Sequence, residues 1–93
     1  MHLSVLGRGP VPSSGVSAVL VNVTAVGPTG PGYVTVYPDG GSAPTASNVN
    51  FAAGQTAANL VLVPVGADGM VALRNGSARP VNLLADVVGY THG

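Results

Sequence analysis

The sequence predicts an all-β domain: a seven-stranded antiparallel sandwich with Greek-key, immunoglobulin-like connections, and a small β-barrel as the alternative. Three observations carry this. Valine occurs seventeen times in 93 residues, mostly in short runs, and β-branched side chains suit a pleated, half-buried surface. Fourteen glycines and eight prolines interrupt those runs, at about the spacing of turns in sandwiches and barrels. Between interruptions no apolar pattern of helical period is sustained. A chain of this length makes one small domain, residues 1–93, with a single core.

The elements follow in order. A first strand is expected at about Leu3 to Leu6, before a loop from Gly7 to Gly15 that holds Pro10 and Pro12. The longest strand runs from Val16 to about Val26. Gly27-Pro28-Thr29-Gly30-Pro31-Gly32 is a turn, since proline cannot donate to a ladder and glycine accepts positive φ. Tyr33 to Tyr37 alternates cleanly as a third strand. Pro38-Asp39-Gly40-Gly41 opens a long polar loop, and Ser47 to Phe51 is a short fourth strand. Asn59 to Val65 and Met70 to Arg74 are the fifth and sixth strands. The four residues Gly66-Ala67-Asp68-Gly69 between them read as a hairpin connection. Asn75-Gly76-Ser77 turns the chain into the last strand, Pro80 to Tyr90, where proline is acceptable at the start.

The faces of these strands carry a second message. On the long strand, Val19, Val21, Val23 and Ala25 share one face, and Ala18, Leu20, Asn22, Thr24 and Val26 the other. On the third, Val34 and Val36 oppose Tyr33, Thr35 and Tyr37. The fifth strand and much of Leu83 to Val88 are apolar on both faces. A two-layer sandwich buries one face of each strand. The outer face is therefore expected to be covered by a neighbouring module, another copy or a returning loop.

Composition excludes several chemistries. Only Arg8, Arg74, Arg79, Asp39, Asp68 and Asp86 are charged, 6% of the chain with zero formal net charge. An ordinary domain carries about 25%. With no lysine there is no P-loop or Schiff-base lysine. With no cysteine there is no disulfide, thiolate nucleophile or cysteine metal site. Three scattered arginines make no nucleic-acid footprint. No apolar run reaches the length of a membrane-spanning helix, and the first six residues lack the basic start of a signal peptide. No cofactor or metal site is expected, and no enzyme.

A few residues stand out as candidates. Tyr33, Thr35, Tyr37 and Asp39 form a candidate ligand surface, since aromatic rings pack on the apolar faces of sugars while polar side chains take the hydroxyls. Asp86 lies in an apolar strand. A lone buried carboxylate is costly, so a structural polar network with Arg74, Arg79 and Asn22 is expected. Asp39 and Asp68 sit in turn sequences. His2 and His92 lie at the two ends, where a joint site is the remote reading and solvent exposure the plain one. Phe51 is assigned to the core.

Taken together, Val16-Ser17-Ala18-Val19-Leu20-Val21-Asn22-Val23-Thr24, Gly32-Tyr33-Val34-Thr35-Val36-Tyr37-Pro38, Pro44-Thr45-Ala46-Ser47-Asn48-Val49-Asn50-Phe51, Gly54-Gln55-Thr56 and Ala85-Asp86-Val87-Val88-Gly89-Tyr90 resemble a β-rich module. That module recurs in secreted actinobacterial proteins as an appendage or repeat beside extracellular hydrolases. The resemblance covers about Val5 to Tyr90. It implies an extracellular, non-catalytic part of a larger protein that binds cell-surface or polymeric carbohydrate. The competing expectation is a self-associating spacer, a homo-oligomer formed through apolar strand faces or an open sheet edge.

Overall fold

Two antiparallel sheets face each other across a valine core in the computed structural model, which describes residues 1–41 and 48–92. The strands are β1 (His2–Ser4), β2 (Val16–Val26), β3 (Gly32–Pro38), β4 (Val49–Phe51), β5 (Ala57–Pro64), β6 (Met70–Asn75) and β7 (Asn82–His92). One sheet has the order β1-β6-β3-β4 and the other β5-β2-β7. All ladders are antiparallel, and among the described residues none joins the two sheets. The arrangement is the expected sandwich, not the barrel. Ser47, the expected start of β4, lies outside the described residues.

The inner faces are those the alternation predicts. Val19, Val21, Val23 and Ala25 of β2 have no exposed surface. They meet Val34 and Val36 of β3, Val61 and Val63 of β5, and Val71 and Leu73 of β6, with Phe51 closing one end. Each fully buried valine contributes roughly 1.5–3 kcal/mol of transfer free energy.

The connection between β5 and β6 is a correction. Asp68-Gly69 does make a turn: Gly69 has φ +79°, and the Asp68 carboxylate accepts from the Met70 amide at 3.0 Å. It does not make a hairpin. β5 pairs with β2, and β6 pairs with β1 and β3, so the turn carries the chain from one sheet to the other. Consecutive burial explains the preference. Val71, Ala72 and Leu73 are all buried, so β6 belongs inside its sheet. In β5 only alternate residues are buried, as suits an edge.

Two register shifts shape β7. Leu20 pairs with Gly89 and Val21 with Val87, leaving Val88 as an extra residue. This bulge reverses the inside-outside phase, so Val87 and Tyr90, three apart, both pack against the core. A second shift falls at Ser17, whose hydroxyl lies 2.7 Å from the Thr91 hydroxyl and donates to the His92 carbonyl at 3.1 Å.

The two open sides of the sandwich differ. Where β4 and β5 meet, the Asn59 side chain donates to the Asn48 carbonyl at 2.8 Å, and the Asn48 side chain accepts from the Val36 amide at 2.6 Å. Asn48 thus supplies the hydrogen bond that short β4 cannot give to β3. On the opposite side β1 and β7 end their sheets without any ladder between them.

Candidate functional site

The outer face of the four-stranded sheet carries the aromatic candidates. Register places Tyr33 opposite Asn50, Thr35 opposite Arg74, and Tyr37 opposite Ala72, which in turn faces His2. Tyr33 and Tyr37 share this face, about 13 Å apart at four residues of strand rise. Tyr33 is 36% exposed, Tyr37 is half-buried and Arg74 is exposed. Thr35 lies between them but is 1% exposed, which removes its hydroxyl from the surface a ligand meets. The β6–β7 turn crowds Tyr33 further. A Cβ at Gly76 would overlap the tyrosine ring, so any larger residue there must push the ring aside.

Asp39 is held at the end of this sheet. Its carboxylate lies 2.5 Å from the His2 ring nitrogen Nδ1. A side-chain hydrogen bond with Asp68, then the bond to His2, hold the Asp39 carboxyl below the usual carboxylate range. Its amide donates to the Met70 carbonyl at 3.2 Å, and its backbone lies against Gly66. This cluster ties β1, the end of β3 and the β5–β6 turn together. Asp39 therefore serves as a fastening, and its carboxylate already has partners. His92, in contrast, meets Tyr90 edge-on at 5.3 Å, so each histidine has its own neighbour. Among the described residues no three His, Asp or Glu side chains gather as metal ligands.

The polar network proposed around Asp86 is corrected. Asp86 is exposed, on the outer face of β7 opposite Asn22. Arg74 lies in the other sheet. Arg79 lies in the β6–β7 turn, where its chain packs over Gly30 and a Cβ there would come within 2.9 Å. Of the four residues only Asn22 and Asp86 come together. The physical reason is position: β7 is an edge strand whose outer face meets solvent, so its carboxylate stays hydrated and needs no buried cation. The network in the turn is one that sequence reasoning missed. The Asn75 side chain donates to the Arg79 carbonyl at 3.0 Å and accepts from the Ser77 amide at 2.9 Å. The Ser77 hydroxyl donates to the Arg79 carbonyl at 2.6 Å. The signal was the Asn-Gly-Ser sequence itself, since short polar side chains bond local backbone.

The outer face of the three-stranded sheet is the third surface. Leu60 and Leu62 of β5 are 54% and 57% exposed, and Leu84 and Val88 of β7 are 59% and 55% exposed. Register places Leu62 beside Leu20, Leu60 beside Asn22, and Leu84 beside Thr24. Apolar side chains on the two edge strands thus flank Asn22 and Thr24 of β2, while Asp86 lies on the edge strand β7 between Leu84 and Val88. Comparison of the chain with protein-family models, with curated proteins and with solved structures finds no match.

Proposed function

We propose that the chain is a non-catalytic module of an extracellular protein, and that copies associate through the outer face of the β5-β2-β7 sheet. One observation carries the association: among the described residues, four of the six large apolar side chains that remain exposed, Leu60, Leu62, Leu84 and Val88, share that face. Asp86 is its single charge. The extracellular setting is supported by the sequence resemblance. Apolar ridges on both edge strands with a polar centre suit a two-fold contact, where each surface must complement itself. Two strands about 36 Å long and the eight-residue β5, about 26 Å long, spaced about 4.8 Å apart, offer just under about 500 Å² per copy, or just under about 1,000 Å² in the pair. That is the low end for a specific interface, so association is weak and depends on concentration. Light scattering over a concentration series tests it. The expected result is a mass rising toward a dimer, abolished by Leu60→Thr with Leu62→Thr. A constant monomer mass up to millimolar concentration overturns the reading.

A second reading is polysaccharide or cell-wall polymer binding by the other sheet. It is favoured by Tyr33 and Tyr37 sharing a face with exposed Arg74. Titration with peptidoglycan, chitin, cellulose and teichoic polymers, repeated with Tyr33→Ala and Tyr37→Ala, is the test. Binding that both substitutions weaken supports it; no binding at any concentration ends it.

A further inference from the structure

We propose that the unpaired edge of β7 from Asn82 to Val87 binds an extended peptide strand, one end of which enters the cleft that residues 85–87 share with Leu3, Ser4, Arg8 and Gly9. The cleft measures about 470 Å³, within the ordinary range of ligand pockets. Leu3, Ser4, Arg8 and Gly9 line one wall, and residues 85–87 line the other.

The backbone states the class of ligand. A strand at the end of a sheet turns half its N–H and C=O groups away from its neighbour, and their complement is another extended backbone. β7 pairs with β2 alone. Among the described residues no backbone hydrogen bond outside that ladder reaches residues 82–90. From Asn82 to Val87 the register with β2 is unbroken, and the bulge at Val88 ends the template. Six residues offer about six outward backbone groups, two from every second residue. Neither proline nor lysine stands in this stretch, and Asp86 is its one charge.

Side chains define the sequence that fits. Leu3, Ala85 and Val87 are partly buried against the core and make an apolar floor, so alternate side chains of the ligand are apolar. Asp86 on one wall and Arg8 on the other are opposite charges. A ligand with a cation beside Asp86 complements the site, and an acidic group suits Arg8. The second wall also selects a peptide over a second copy. Two β7 edges brought together would carry two such walls into one gap, whereas a single strand enters freely.

The test uses the full chain, isotope-labelled, and an end-blocked hexapeptide of alternating valine and threonine with one threonine replaced by lysine. Two further peptides carry N-methyl groups on every second residue, one in each phase. The expected result has three parts. Amide shifts are confined to residues 82–87 and 3–9. Exchange of the outward amides of 82–87 slows at least tenfold at saturating peptide. Only one methylated phase still binds, because only one phase turns its N–H groups to β7. Asp86→Asn weakens the lysine peptide about threefold or more and leaves unchanged the same valine–threonine hexapeptide without the lysine replacement. No shifts at millimolar peptide, equal binding of both methylated phases, or shifts centred on Leu60 and Leu62 would overturn the proposal. So would protection of those amides in concentrated protein without peptide, which would mean that a second copy holds the edge.

Discussion

Asp39 follows β3 directly, and its low affinity for a proton makes the fastening of β1 depend on pH. The unfolded chain protonates this carboxyl near its ordinary value of 3.8, while the folded chain holds it lower. Its contribution to stability is therefore whole above the unfolded value and is lost as pH falls through the folded one. Carbon-13 titration of the Asp39 carboxyl is expected to give a midpoint below 3.8. His2→Ala, which removes the ring that bonds the carboxylate, raises that midpoint. Because His2 is 69% exposed, added salt narrows the effect of His2→Ala. Two glycines allow a second comparison at this scale. A Cβ at Gly32 would strike Ser77 at its Cβ and at its backbone, with Cα at 2.9 Å, whereas one at Gly76 would strike one edge of the Tyr33 ring. Rings swing and backbone does not. Gly32→Ala is expected to cost about 1–3 kcal/mol, and Gly76→Ala less. Tyr33→Ala should relieve the cost of Gly76→Ala and leave that of Gly32→Ala; thermal unfolding of the single and double variants measures both.

Within β2 and β5 the two faces of one sheet make opposite demands on their side chains. Val21→Ala removes two methyl groups from a fully buried site, and about 2–3 kcal/mol of stability is expected to go with them. Leu62→Thr, on the exposed face of the neighbouring strand, should change monomer stability by less than about 1 kcal/mol. Urea unfolding at concentrations too low for association compares the two. This contrast marks what the sequence discloses. Val19, Val21, Val23 and Ala25 fall on one face by alternation alone, and the bounds of β2 follow from the glycines around it. The two-sided apolar character of β5 is equally plain; the cover expected for its outer face is not a returning loop among the described residues, since Leu60 and Leu62 are exposed. Sheet membership is different. Asp68-Gly69 encodes a turn but not the partner of the strand it releases, because that choice depends on β1 and β3, far away in sequence. The bulge at Val88 is set by pairing with Leu20 and Val21, and nothing local announces it. Asp86 follows the same logic: an apolar neighbourhood in sequence becomes a solvated face when its strand ends the sheet. Thr35 is the converse, a polar residue in a fair alternating strand that packing has nonetheless buried.

At the scale of the whole molecule, how copies associate follows from how little charge the chain carries. The contact proposed for the β5-β2-β7 face gains from apolar burial, and its single charge works against it. Burying about 1,000 Å² of mostly apolar surface in the pair should give a heat-capacity change of about −0.2 to −0.3 kcal/mol/K. Association should therefore strengthen on warming from 5 to 25 °C and change little between low and high ionic strength. Asp86 lies on the edge strand β7, between Leu84 and Val88 and opposite Asn22, and a carboxylate drawn out of water in the contact costs free energy. Asp86→Asn keeps the shape and removes the charge, so it should tighten the dimer about threefold to tenfold, or about 0.7–1.4 kcal/mol. Dilution calorimetry at several temperatures, on the parent chain and Asp86→Asn, measures both quantities. A dimer that loosens with salt and tightens on cooling would place the contact elsewhere, since no ion pairs on this face could produce that dependence. A dimer that weakens when Asp86 is neutralised would mean that the carboxylate finds a partner across the interface, and the two-fold packing of apolar ridges would give way to one centred on that bond.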